Sequence, residues 1–161
     1  MVVYTDGACS GNGKSVNSGG YGVVVLDNDE NLLYTYSKRS ENTTNNREEL
    51  KAILYAFLNY GVNINTNKFT NNIPIVYSDS NYCVQTFNSW MFSWANNGWI
   101  KSDKKTPENL DLIKAYYNWY QKGYRIDLRK VKGHNGIKWN ELADLLATGK
   151  ISSEEAMKWN K

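Results

Sequence analysis

Hydrophobic positions follow two rhythms along this chain, one of period two and one near 3.6, and together they divide it into strands and helices. Met1-Val2-Val3-Tyr4-Thr5-Asp6-Gly7 is a short β-branched and aromatic run, stopped by Gly7, Gly11 and Gly13, and it reads as a central buried strand. Tyr21 to Leu26 forms a second strand, Asp27 to Asn31 turns the chain over, and Leu32 to Ser37 returns, so the first three strands predict an antiparallel meander. Thr43-Thr44-Asn45-Asn46 supplies N-cap chemistry for a helix over 46–60, whose buried stripe is Leu50, Ile53, Leu54, Phe57 and Leu58. Residues 59–74 are rich in Asn and Thr, show no usable period and read as a long surface loop. A short apolar strand, Ile73 to Ser80, precedes a helix that carries Cys83, Phe87, Trp90, Met91 and Trp94 at helical spacing; such a stripe is core, unless two Trp stand exposed as a stacking platform. Past the polar stretch from Asn96, Thr106-Pro107-Glu108 predicts a helix start, with Thr as cap and Pro at the first helical position. That helix runs through Leu110, Ile113, Tyr117 and Tyr120 to Gly123, a fifth strand covers Tyr124 to Val131, a last long helix covers Trp139 to Ala147, and the tail from Ile151 forms a short helix.

Composition narrows the class without naming a function. With 161 residues, 41% hydrophobic and 22% charged, the chain is expected to be one domain, residues 1–161, with a core that needs no disulfide or structural metal. It opens on a strand rather than a basic-then-apolar leader, and no apolar run reaches membrane-spanning length, so a cytoplasmic location is expected. Cys9 and Cys83 are isolated and read as small buried side chains. A net charge of +3 permits nucleic-acid binding without arguing for it.

The chemistry is concentrated in a few polar positions. Asp6 sits inside an apolar strand, where a carboxylate requires a cation, a proton or a hydrogen-bond network to offset its burial; the alternative is a cap of the following turn. Ala8 to Ser15 fits a relaxed phosphate-loop pattern ending in Gly13-Lys14-Ser15, but such a loop must open a helix, and a turn and a strand follow instead. On the first helix, at about 100° per residue, Glu48 points away from the apolar face and Glu49 falls on its flank, so only Glu49 reaches a site bordering the core. Asp79 ends a strand where a helix begins, a position equally suited to an N-cap. Lys101, Lys104 and Lys105 lie on either a solvated excursion or a phosphate-contacting arm. His134, the one histidine, follows Lys132-Gly133 in a polar loop. Between Glu141 and Asp144 on the last helix the period does not choose.

Five blocks taken in order, Tyr4-Thr5-Asp6-Gly7, Thr44-Asn45-Asn46-Arg47-Glu48-Glu49-Leu50, Tyr77-Ser78-Asp79-Ser80, Val131-Lys132-Gly133-His134 and Asn140-Glu141-Leu142-Ala143-Asp144, resemble ribonuclease H of type 1 across almost the whole chain. The resemblance implies an α/β, ribonuclease H-like fold: a five-stranded mixed sheet, three antiparallel then two parallel strands, flanked by helices, with strand one beside strand four. It implies an endonuclease that hydrolyses the RNA strand of RNA/DNA hybrids and leaves 5′-phosphate and 3′-hydroxyl ends. Asp6, Glu49, Asp79 and Asp144 are then the catalytic and metal-binding acids, and His134 an auxiliary catalytic group. Four carboxylates balance two Mg²⁺ ions roughly 4 Å apart, with Mn²⁺ as a substitute, because such hard cations favour oxygen ligands. The same resemblance assigns substrate contacts to Asn12, Thr44, Asn45 and Asn81, and DNA-side contacts to Trp90, Lys101, Lys104 and Lys105. It departs from the family in Ala95-Asn96-Asn97, where a more basic run is common, and in the longer loop before strand four; weaker, less salt-sensitive hybrid binding is the consequence expected. A free-standing monomer is expected. Rival readings are a DNA-processing nuclease or transposase of the same fold, a non-catalytic hybrid-binding module and an NTPase.

Overall fold

A computed structural model of the chain describes residues 1–11, 17–66, 72–131 and 138–160. Strands β1 (Val2–Ser10), β2 (Ser18–Leu26) and β3 (Leu32–Glu41) form the expected antiparallel meander. Helix α1 (Asn45–Tyr60) follows, then β4 (Val62–Asn63) and β5 (Ile75–Ser78). Helix α2 (Asn81–Gln85) continues through a π-helical turn (Thr86–Trp90) into α3 (Met91–Asn96), and α4 (Leu110–Gln121) leads to β6 (Tyr124–Arg125) and β7 (Asp127–Lys130). The chain ends in α5 (Lys138–Ala147), α6 (Ser153–Ala156) and a 3-10 turn (Met157–Asn160).

The main sheet has the order β3-β2-β1-β5-β7, with β5 parallel to β1 and β7 parallel to β5. Val23, Val24 and Val25 are all buried because both faces of the sheet are covered. Val3, Val23 and Val25 face one core with Leu50, Ile53 and Phe57 of α1 and Ile113 of α4. Tyr4, Val24 and Leu26 face a second core with Leu142 and Leu146 of α5 and Ala156 of α6. Among the described residues no helix is long and apolar enough to cross a membrane.

Several local expectations change. The stretch after α1 is not all loop: β4 pairs with β6 in a two-stranded ribbon, which also breaks the fifth predicted strand at Ile126, leaving β7 for the main sheet. Residues 67–71 of that stretch lie outside the described residues. Helix α4 starts at Leu110 rather than at Thr106, because Asn109 takes a left-handed conformation (φ 59°) and interrupts the helical path there. The π-helical turn holds Cys83, Phe87 and Met91 in the core and rotates Trp90 outward, 39% exposed.

Helix α1 is rotated from its apolar stripe. Leu58, expected inside, is 45% exposed, while Glu48, Ala52 and Ala56 are fully buried. The buried arc is therefore centred close to Glu49 rather than on the leucines. Gly7 is the cause: a Cβ there would lie 2.2 Å from the Glu49 nitrogen, so β1 backbone rests directly on α1.

Candidate active site

Asp6 lies in the middle of β1, 5% exposed, with β2 on one side and β5 on the other. Each flank delivers a further carboxylate. Through the contact at Gly7, α1 presents Glu49. Gly22, paired with Asp6 across the sheet, lets α5 come equally close: a Cβ on Gly22 would lie 2.4 Å from the Ala143 oxygen, and Asp144 is the next residue. Parallel strand β5 ends at Ser78, which places Asp79 beside the same strand end. Ser80, not Asp79, caps α2, its hydroxyl accepting from the Cys83 N–H at 3.2 Å.

One carboxylate oxygen from each of Asp6, Glu49 and Asp79 lies within 4.8 Å of the others. Asp144 is hydrogen-bonded to Asp6 and lines the same groove of about 530 Å³. Crowding and burial raise the affinity of these acids for protons. Asp6 is pushed far above the ordinary carboxylate range, first by burial, then by the charges of Glu49 and Asp79 and by shared hydrogen bonds with Glu49 and Asp144. Glu49 is also raised, chiefly by burial, although hydrogen bonds from Asp6 and the Gly7 backbone partly oppose the rise. Without a cation both acids are therefore driven towards their protonated forms.

This arrangement fits a divalent cation. The donors are carboxylate oxygens, the set that Mg²⁺ and Mn²⁺ favour. Glu49 Oε2 is buried with no hydrogen-bond partner, an acceptor that a cation would satisfy. Burial pushes the Cys83 thiol up to about 12, towards its neutral form.

A family model described as RNase H matches residues 1–152 of the chain. The chain belongs to the RNase H family. A protein named Ribonuclease H from Caldanaerobacter subterraneus subsp. tengcongensis is 39% identical over 94% of this chain and 90% of its own length. Another of that name, from Wolbachia pipientis wMel, is 38% identical over 91% of this chain and 92% of its own. Among solved structures, LC9-RNase H1, described as a type 1 RNase H with the type 2 active-site motif, aligns with a TM-score of 0.65 and 30% identity, covering 91% of this chain and 69% of that one.

Beyond the four acids, the residues that the resemblance to RNase H singled out are dispersed. Asn45 lines the groove, with Asn46 and Ser80, which the sequence reading did not single out. Thr44 is the N-cap of α1, its hydroxyl accepting from the Arg47 N–H at 3.1 Å. Asn81 begins α2 and does not line the groove. Trp90 sits 6.0 Å from Tyr82 and 6.2 Å from Trp94, a partly exposed aromatic surface. Lys104 and Lys105 are exposed, and Lys101 pairs with Asp103 at 3.6 Å. Asn12 and His134 lie outside the described residues. Glu48, expected to point away from the core, is fully buried, where Thr43 Oγ1 donates to its Oε2 at 2.7 Å and Lys51 Nζ at 2.8 Å; it is an internal strut and not a member of the acid group.

Since Gly7 sets the position of Glu49 through rigid backbone, Gly7→Ala is expected to cost about 3 kcal/mol of stability, the upper range for overpacking. Urea unfolding checks this, and an unaltered midpoint would show that α1 has room to move away from β1.

Proposed function

We propose that this member of the RNase H family is a metal-dependent endonuclease that hydrolyses the RNA strand of RNA/DNA hybrids, leaving 5′-phosphate and 3′-hydroxyl ends. The observation that carries the proposal is the convergence of Asp6, Glu49 and Asp79 within 4.8 Å, with Asp144 bonded to Asp6, on the wall of an open groove. Relatives named Ribonuclease H at 39% and 38% identity over nearly the whole chain support the same reaction. Hydrolysis forms a bond from a water oxygen to phosphorus and breaks the bond from phosphorus to the 3′ oxygen, which takes up a proton.

Asp6, Glu49, Asp79 and Asp144 would hold two divalent cations, Mg²⁺ or Mn²⁺, which supply Lewis-acid neutralisation of the phosphoryl group. The chain's own residues do the positioning. Asp6 is central because β1 lies between the strands that flank it, so its carboxylate reaches the acids of α1 and α5 at once. The Gly7 N–H donates to Asp6 Oδ1 at 3.0 Å and helps hold the central carboxylate. Asn45 and Asn46 offer amide groups to the wide minor groove of a hybrid, where 2′-hydroxyls mark the RNA strand. Trp90 offers a ring face to the DNA strand, and the 101–105 excursion offers cations. Thr44, the cap of α1, and Asn81, at the start of α2, are assigned contacts to the hybrid. His134 is assigned a proton-accepting role near the attacking water. Residues 1–161 act as one domain, and as a monomer in the cytoplasm, a state that sedimentation would check.

The deciding assay offers labelled RNA/DNA hybrid, duplex DNA and duplex RNA to the protein with Mg²⁺. Cleavage confined to the hybrid's RNA strand is expected. Cutting of duplex DNA would replace the proposal with a DNA-processing nuclease, and binding without cutting would reduce it to a hybrid-binding module. In the same assay His134→Ala is expected to slow turnover roughly 10²-fold and leave residual activity, as for loss of a proton-transfer group. A complete loss would make His134 as indispensable as the acids.

A further inference from the structure

Arg39 lies outside every motif read from the sequence, yet it is the one cationic side chain among the described residues that line the acidic groove. It stands on β3 opposite Gly20 of β2, and Gly20 is opposite Ala8 of β1, two residues beyond Asp6. At roughly 4.8 Å between neighbouring strands, the Arg39 backbone is about 10 Å from β1. Its guanidinium leans across β2: Nη1 donates to the Ala147 carbonyl at the end of α5, and Nη2 lies 3.5 Å from Ser18 Oγ. Gly20 makes room for it: a Cβ there would lie 2.6 Å from Nη1. Arg39 forms no salt bridge with a carboxylate among the described residues, and its two contacts leave donors of the five-donor fork for a ligand.

A groove walled by four carboxylates repels a polyanion, so a fixed cation on its rim has a defined use. An arginine fork matches a phosphate in charge and geometry. We propose that Arg39 binds a backbone phosphate of the substrate flanking the cleaved one, and so governs affinity rather than the chemical step. The inference rests on the nuclease reading given under Proposed function. The bond to Ala147 is the support that holds the fork in place, since a cation at a helix C-terminus is itself favourable.

Steady-state cleavage of a labelled hybrid at several salt concentrations, with melting curves of each protein, tests it. Arg39→Gln keeps a donor for Ala147 and removes the charge; Arg39→Lys keeps the charge. For Arg39→Gln, KM is expected to rise about fivefold with kcat within about twofold, and the slope of log KM against log salt to fall by about 0.9, one phosphate contact. Arg39→Lys is expected to keep the wild-type slope. An unchanged KM and slope in Arg39→Gln, whether or not its melting temperature falls, would overturn the proposal and leave Arg39 a structural cap of α5. If the wild-type protein cleaves the hybrid in that experiment, only the role of Arg39 fails; if it does not, the nuclease reading fails with it.

Discussion

Asp6→Asn is expected to lose hybrid cleavage by roughly 10³-fold or more, at least about 4 kcal/mol of barrier, while the metal-free protein becomes more stable at pH 8. The two effects have one cause. Asp6 stands on β1 where Glu49, Asp79 and Asp144 all approach it, so its charge is central to any cation held there. In the metal-free protein that same charge is a liability, because Asp6 is buried beside Glu49 and Asp79 and must keep a proton. Asparagine has nearly the shape of the protonated side chain and needs no proton. Activity measurements with paired thermal melts in EDTA check both halves. Substantial residual cleavage, or a metal-free variant less stable than wild type at pH 8, would show that Asp6 is not the centre of the site. Asp79→Asn is expected to match the loss of activity.

The second large effect is a stability that runs opposite to pH until metal is added. The folded-state pKa values of Asp6 and Glu49, about 11 and about 8, lie above the ordinary 3.8 and 4.5. Below pH 4 both states bind these protons and the contribution is fully present. As pH rises from about 4 towards 8 the unfolded chain releases protons that the folded chain retains, so stability falls, by about 1.4 kcal/mol per pH unit for each retained proton. For a chain of this size that is about 3–6 °C of melting temperature per unit. Mg²⁺ or Mn²⁺ held by the folded acid group alone would displace the proton. At a hundredfold excess over its dissociation constant it is expected to return about 2.7 kcal/mol, or roughly 5–10 °C. Melts from pH 5 to 8 with EDTA or with metal test this, and calorimetry showing no dependence on either ion would remove the shared site.

The order and type of the elements were legible because they rest on local patterns. The meander, the cap at Thr44 and the buried Cys83, Phe87 and Met91 each follow from a few neighbouring residues. What escaped were features decided by distant partners. β4 is two residues long and exists only because β6, some sixty positions later, pairs with it. The π-helical turn that sends Trp90 outward is held by Asn88 Nδ2 donating to the Leu128 carbonyl of β7 at 2.9 Å.

The candidate site divides along the same line. Asp6 alone in an apolar strand already demanded compensation, since a buried carboxylate is unstable without it wherever the chain goes. The five ordered blocks then named its partners. Helical period did place Glu49 towards the core, but it misjudged Glu48, which is buried on the other flank of the same helix because Gly7 and the small Ala52 and Ala56 let α1 settle onto the sheet. It did not separate Asp144 from Glu141, a choice made by Gly22 admitting the backbone at Ala143. Nor did it mark Arg39, a plain edge-strand arginine until β3, β2 and α5 gather around one groove. The sequence by itself determined which side chains are candidates for the chemistry and which elements bear them, because residue type and local period act over one or two turns. Only the tertiary structure decided which of those side chains meet, because that depends on how closely two backbones approach across a glycine.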